Sequence, residues 1–155
     1  MLVLAKLTEH GLRHVVANLW ERGRRELEVF GLDPVAAYIQ LSSCIGELYS
    51  FEVRDGDEPI VAMGAVERAD NHFFTWFLAT EKFTNYGSEL TRVVREFLAA
   101  QTALRPGAIL EVVSASDYPG TDLWFRLLGF KLVGEHSGFR HFRYVSKNAS
   151  DNARQ

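Results

Sequence analysis

A single cysteine, Cys44, among 155 residues excludes an intrachain disulfide and a cysteine-rich metal site. It falls within an apolar helical pattern, so it reads as buried filler and not as a nucleophile. No stretch approaches the roughly 18 consecutive apolar residues of a membrane helix, and Met1 to Leu7 is too short for a secretory signal and lacks a cleavage site. A cytoplasmic location without membrane contact is therefore expected. Basic charge is also scarce: the formal net charge is −3, so no general attraction to phosphate backbones arises and no nucleic-acid partner is expected. Arg22, Arg24 and Arg25 form the one dense basic group, and they read as the solvated face of a helix. The Walker lysine and the two-glycine dinucleotide loop are missing. Ser42-Ser43 and Ser114-Ala115-Ser116 lack the Gly-x-Ser-x-Gly elbow, and the His10, His14 pair lacks the glutamate of a zinc hydrolase, so no metal is expected. Asn148-Ala149-Ser150 matches a glycosylation acceptor, and with no secretion expected the match reads as chance.

What is present is a chain that is 47% apolar and 24% charged, the balance of one ordinary soluble domain. That domain is expected over residues 1–145. Ser146 to Gln155 is polar and apolar-poor and reads as a disordered tail. Leu12, Val15, Val16, Leu19 and Trp20 repeat at helical spacing, with Gly31 as a stop. Asp33-Pro34 is an N-cap followed by proline at the first helical position. Leu48 to Arg54 and Ile60 to Val66 flank Asp55-Gly56-Asp57-Glu58, a hairpin signal, and a turn at Arg68 to Asn71 leads to a third run, Phe73 to Ala79. A long helical pattern from Ser88, a break at Arg105-Pro106-Gly107, a strand at Ile109 to Val113 and a short helix ending Leu127-Leu128-Gly129-Phe130 complete it. The predicted order is β, α, α, β, β, β, α, β, α, β, β, an α+β sheet layered with about four helices.

The run from Lys82 to Leu90 stands between a strand and a helix. A glycine opening a helix after a strand lets backbone N–H groups and the positive end of the helix dipole point together at an anion. The alternative is that Gly87 only supplies a positive φ at a turn.

Lys82-x-x-Asn85-x-Gly87-Ser88-x-Leu90, with Phe125-Arg126-Leu127-Leu128-Gly129-Phe130 later, resembles the GNAT superfamily of acyl-CoA-dependent N-acetyltransferases. Lys82 stands at the basic position of that family's pyrophosphate loop, Asn85 at its first glycine and Gly87 at its second. Ala17-Asn18-Leu19, Arg24 to Leu27, Gly31 to Pro34 and Gly138 to Phe142 are similar to a branch of small GNAT-like proteins of tailed phages and prophages. The resemblance implies a mixed, largely antiparallel sheet and acetyl-CoA as cofactor. Its pantetheine arm would lie along the backbone near Leu78 and Thr80, and its pyrophosphate over Lys82, Asn85, Tyr86, Gly87 and Ser88. The family's usual acid position holds Phe125, and Phe74 stands where many relatives hold a base. Tyr118 is then the candidate acid and Asp117 the candidate base; the other reading of Asp117-Tyr118-Pro119 is a helix entry. Two functions stay open: an N-acetyltransferase acting on a small-molecule or peptide amine, or a phage or prophage component with reduced catalysis. The partner in the second case is a virion protein or a second copy in a homodimer.

Overall fold

The computed structural model describes residues 1–145. Its elements are β1 (Leu2–Lys6), α1 (Glu9–Ala17), α2 (Glu21–Val29), α3 (Pro34–Leu41), β2 (Ser50–Asp55), β3 (Glu58–Ala69), β4 (His72–Ala79), α4 (Gly87–Ala103), β5 (Ile109–Ser114), α5 (Pro119–Leu128), β6 (Lys131–His136) and β7 (Phe139–Val145). The seven strands form one sheet in the order β1-β2-β3-β4-β5-β7-β6. Every neighbouring pair is antiparallel except β4 and β5, which run parallel. The expected tail, residues 146–155, lies outside the described residues.

Strand alternation sends successive side chains to opposite faces of the sheet, and the two faces carry separate cores. Val61 and Met63 of β3, Phe73 of β4, Leu110 and Val112 of β5 and Phe142 of β7 pack against Leu90 and Val94 of α4 and Phe125 and Leu128 of α5. Ala62 and Leu78 face the other way, against Leu12, Val15 and Val16 of α1 and Cys44. The Asp33 carboxylate accepts the Ala36 N–H at 2.7 Å to open α3, as its sequence predicts. Gly129, at φ 107°, closes α5 in the left-handed conformation while the Phe130 N–H returns to the Phe125 carbonyl at 3.0 Å. No helix among the described residues is long and apolar enough to cross a membrane.

There are five helices where the pattern predicts about four, because the first apolar stripe is divided. The Asn18 side chain donates to the His14 carbonyl at 2.8 Å and caps α1. Leu19 then bridges to Thr80, and the Trp20 N–H donates to the Ala79 carbonyl at 3.1 Å. Pairing with the end of β4 thus extends the chain for two residues before α2 resumes the helix.

One feature of the sheet positions the site. The β4–β5 ladder covers only His72 to Phe74 against Ile109 to Glu111. At the next position the Thr75 hydroxyl donates to the Glu111 carbonyl at 2.9 Å, putting a side chain where a ladder bond would stand. Beyond it β4 continues to Ala79 beside β3, and β5 to Ser114 beside β7, without pairing to each other. The sheet therefore opens as a V between two parallel strands.

Candidate cofactor and catalytic site

Backbone alternation decides which groups of β4 face the open V. The Thr80 N–H donates to the Ile60 carbonyl at 2.9 Å, so Thr80, and by the two-residue repeat Leu78 opposite Ala62, direct their backbone groups to β3. Phe77 and Ala79 turn theirs toward the V, where the Ala79 carbonyl is taken by Trp20. Thr80 contributes differently: its hydroxyl is buried and finds no partner among the described residues. An orphaned hydroxyl of this kind is a polar group awaiting a ligand or water.

β4 leads through a 3-10 turn, Glu81–Tyr86, into α4. The N-terminus of this 17-residue helix has no side-chain cap, so its leading amides and its dipole are left to an anion. Between α4 and α5 runs an open groove of about 880 Å³, lined among others by Gly87, Ser88, Arg92, Arg95, Tyr118 and Trp124. The uncapped helix start suits a phosphate, and Arg92 and Arg95 stand further along α4 in the same groove, Arg92 3.6 Å from Glu96, which lines it too.

The structure brings some of the anticipated residues to this groove and takes others away. Gly87 and Ser88 open α4 and line the groove. Gly87 has φ −18°, so it supplies no left-handed turn, and a Cβ placed there would meet nothing within 4 Å. Asn85 is exposed on the 3-10 turn. Lys82 is also exposed, but its ammonium lies 2.5 Å from Glu58 of β3. The Tyr86 hydroxyl donates to Asp55 at the end of β2, which raises the phenol's pKa and lowers the carboxylate's. Both side chains are tied toward the β2–β3 hairpin.

Tyr118 caps α5 at the mouth of the groove, 41% exposed, with the Arg22 guanidinium 4.5 Å above its ring. Its N–H donates to the Ser116 hydroxyl at 3.2 Å, which fixes the β5–α5 join. Asp117 beside it is 75% exposed and lies 3.6 Å from Arg22. Phe125 is in the core, 5.2 Å from Phe142 and 6.0 Å from Phe130 between ring centres, and carries no hydroxyl, so the position where the resemblance places the acid has no proton to give here.

Helix α2 crosses the open ends of the strands. It is fixed to β4 by the Trp20 N–H, and the Trp20 ring packs edge-on against Phe83 at 4.6 Å and Tyr118 at 6.1 Å. Further along α2 the Glu26 carboxylate accepts the Ala115 N–H, just past β5, at 3.0 Å. Burial pushes the Glu26 pKa up; the Ala115 hydrogen bond and Arg140 oppose this, and Asp122 adds to it. Arg140 is itself held by Asp122 at 2.9 Å. Sequence reasoning missed Glu26 because Arg24-Arg25-Glu26 reads as a solvated helix face. Its only signal was adjacency to Leu27, which packs inward one helical turn after Gly23.

No protein-family model and no curated protein matches the sequence. Solved structures do match in shape. The GNAT superfamily phosphinothricin acetyltransferase of Sinorhizobium meliloti, determined with AcCoA, aligns at TM-score 0.69 and 14% identity over 96% of this chain and 91% of its own. The ribosomal-protein-S18-alanine N-acetyltransferase of Escherichia coli aligns at 0.66 and 13% over 98% of each chain. The spermidine N-acetyltransferase of Vibrio cholerae, determined with CoA and spermine, aligns at 0.66 and 14% over 94% and 95%. The splayed parallel pair, the helix that follows its first strand and the strand order are the fold of the GNAT acetyltransferases.

Proposed function

We propose that this chain is an acyl-CoA-dependent N-acetyltransferase acting on a small-molecule or peptide amine. The observation that carries this reading is the V between β4 and β5, leading directly into the uncapped N-terminus of α4. The amides of Gly87 and Ser88 hold the pyrophosphate, with Arg92 and Arg95 alongside, and Asn85 contacts it from the turn. Lys82 and Tyr86 shape the loop through Glu58 and Asp55. The pantetheine arm runs along β4 between Leu78 and Thr80, using the backbone of Phe77, the Ala79 N–H and the free Thr80 hydroxyl.

Acetyl-CoA, when bound, supplies an acetyl group activated as a thioester, which passes to the amine as a C–N bond forms and the C–S bond breaks. An ammonium must lose a proton before its nitrogen can attack, and Glu26, made more basic by burial, takes that proton better than the exposed Asp117. The Tyr118 hydroxyl protonates the leaving sulfur and is restored through solvent by the second proton of the product nitrogen, so one proton is released per turnover. Asp117 holds Arg22 over the Tyr118 ring. Tyr118→Phe is expected to lower the rate of thiol release from acetyl-CoA by about 100-fold with little change in cofactor affinity. Spermidine and an alanine-initiated peptide serve as trial acceptors, and an unchanged rate returns Tyr118 to a packing role.

The lie of α2 and Trp20 across the mouth of the V favours reduced catalysis, and with it a second reading, a GNAT-fold protein such as a phage component. Failure to bind CoA, together with dimerisation or capture by a virion protein, selects it.

A further inference from the structure

Beneath the V, on the α4/α5 face of the sheet, lies a second cavity of about 90 Å³, lined among others by Phe77, Val94, Phe97, Val112, Trp124 and Leu128. Protein interiors are packed to crystal density, and a void of this size forfeits contacts that larger side chains would supply. Two relations tie it to the candidate site. Val112 is the first residue of β5 past the last β4 pairing, and Phe77 belongs to the unpaired length of β4 facing it, so one end of the cavity lies at the apex of the V, while Phe73, Leu110 and the second half of α4 carry it back under the paired strands. Trp124 lines both this cavity and the α4/α5 groove; its indole N–H donates to Thr91 at 3.0 Å and its ring lies 4.7 Å from Phe77. Trp124 is thus the partition between groove and cavity.

The lining is mostly apolar; its polar groups include the Gln101 amide and the Trp76 indole N–H, which is buried without a partner among the described residues. The Thr75 hydroxyl is committed to the Glu111 carbonyl and the Thr102 hydroxyl to the Leu98 carbonyl. At the far end, Arg105 is bound to Glu67 at 2.6 Å and stacks on Phe73. No carboxylate lines it.

Resting on the acetyltransferase reading, we propose that this cavity is an acyl pocket, and that the chain takes a thioester donor bearing a short, uncharged acyl chain longer than acetyl. An apolar cavity of about 150 Å³ admits benzene, so this one suits a chain of about four carbons, that is, a butyryl group. The chain lies between Phe77 and Val112 and displaces no bound polar group.

Calorimetric titration of the full chain with CoA, acetyl-CoA, butyryl-CoA, succinyl-CoA and octanoyl-CoA tests this without requiring the acceptor. Two added methylenes predict butyryl-CoA binding about tenfold more tightly than acetyl-CoA. Succinyl-CoA, equal in length but charged, should gain nothing, and octanoyl-CoA should bind no better than butyryl-CoA. Val94→Phe, which fills the cavity from α4, should bring the butyryl-to-acetyl ratio to within about twofold. CoA and acetyl-CoA binding with no gain for butyryl-CoA, or a gain for succinyl-CoA, overturns the pocket alone. Failure of every thioester and of CoA overturns the pocket together with the acetyltransferase reading.

Discussion

Glu52 shows how closely single side chains are matched here. Its carboxylate has no exposed surface, yet it accepts the Thr8 N–H at 2.7 Å, the Thr8 hydroxyl at 2.8 Å and the Arg54 Nε–H at 2.5 Å. The Thr8 oxygen in turn accepts the Gly11 N–H at 2.9 Å and so caps α1. A buried carboxylate is tolerated only with donors of this kind. The space it needs comes from Gly11, where a Cβ would lie 2.2 Å from a Glu52 oxygen. Gly11→Ala should therefore destabilise the fold by about 2 kcal/mol, lowering Tm by roughly 4–8 °C; an unchanged Tm in calorimetry would contradict the packing described. Glu26 is the opposite case, a half-buried carboxylate with a single backbone donor. Its folded-state pKa is raised, so its contribution to stability is present below its ordinary value, 4.5, and is lost as pH rises through the folded value. Glu26→Gln keeps an oxygen for Ala115 and removes the charge. It should raise Tm at pH 7 to 8 by about 2 °C, with the gain vanishing near pH 4. A gain independent of pH would contradict the origin assigned to it.

At the scale of elements, what could be read in advance depended on the range of the forces involved. The Asp55 to Glu58 hairpin, the Asp33-Pro34 start of α3, the Gly129 stop of α5 and the order of strands and helices are set by neighbouring residues, and all were legible. The division of the first helix was not. Leu12 to Trp20 keeps helical spacing throughout, and only the approach of Thr80, sixty positions away, extends Leu19 and Trp20. The segment before α4 read as a glycine loop and is largely a 3-10 turn, pinned at Lys82 by Glu58 and at Tyr86 by Asp55, partners 24 and 31 positions earlier. For the same reason the candidate site was only half legible. Gly87, Ser88 and Tyr118 follow from local order, whereas Glu26 enters because α2 lies across strand ends nearly ninety residues on.

At the scale of the whole molecule, two helical layers close the sheet's faces, yet β4 and β5 leave it open between them at the start of α4. In the proposed function this opening binds acetyl-CoA. Calorimetric titration of the chain with acetyl-CoA, beside Gly87→Glu, tests it most directly. The added side chain meets open space, so the fold is retained, while its charge enters the anion position at the α4 N-terminus. Binding of the native chain at about micromolar Kd, on the order of −8 kcal/mol, and none by the variant is the expected result. No binding by the native chain, or equal binding by both proteins, would contradict it.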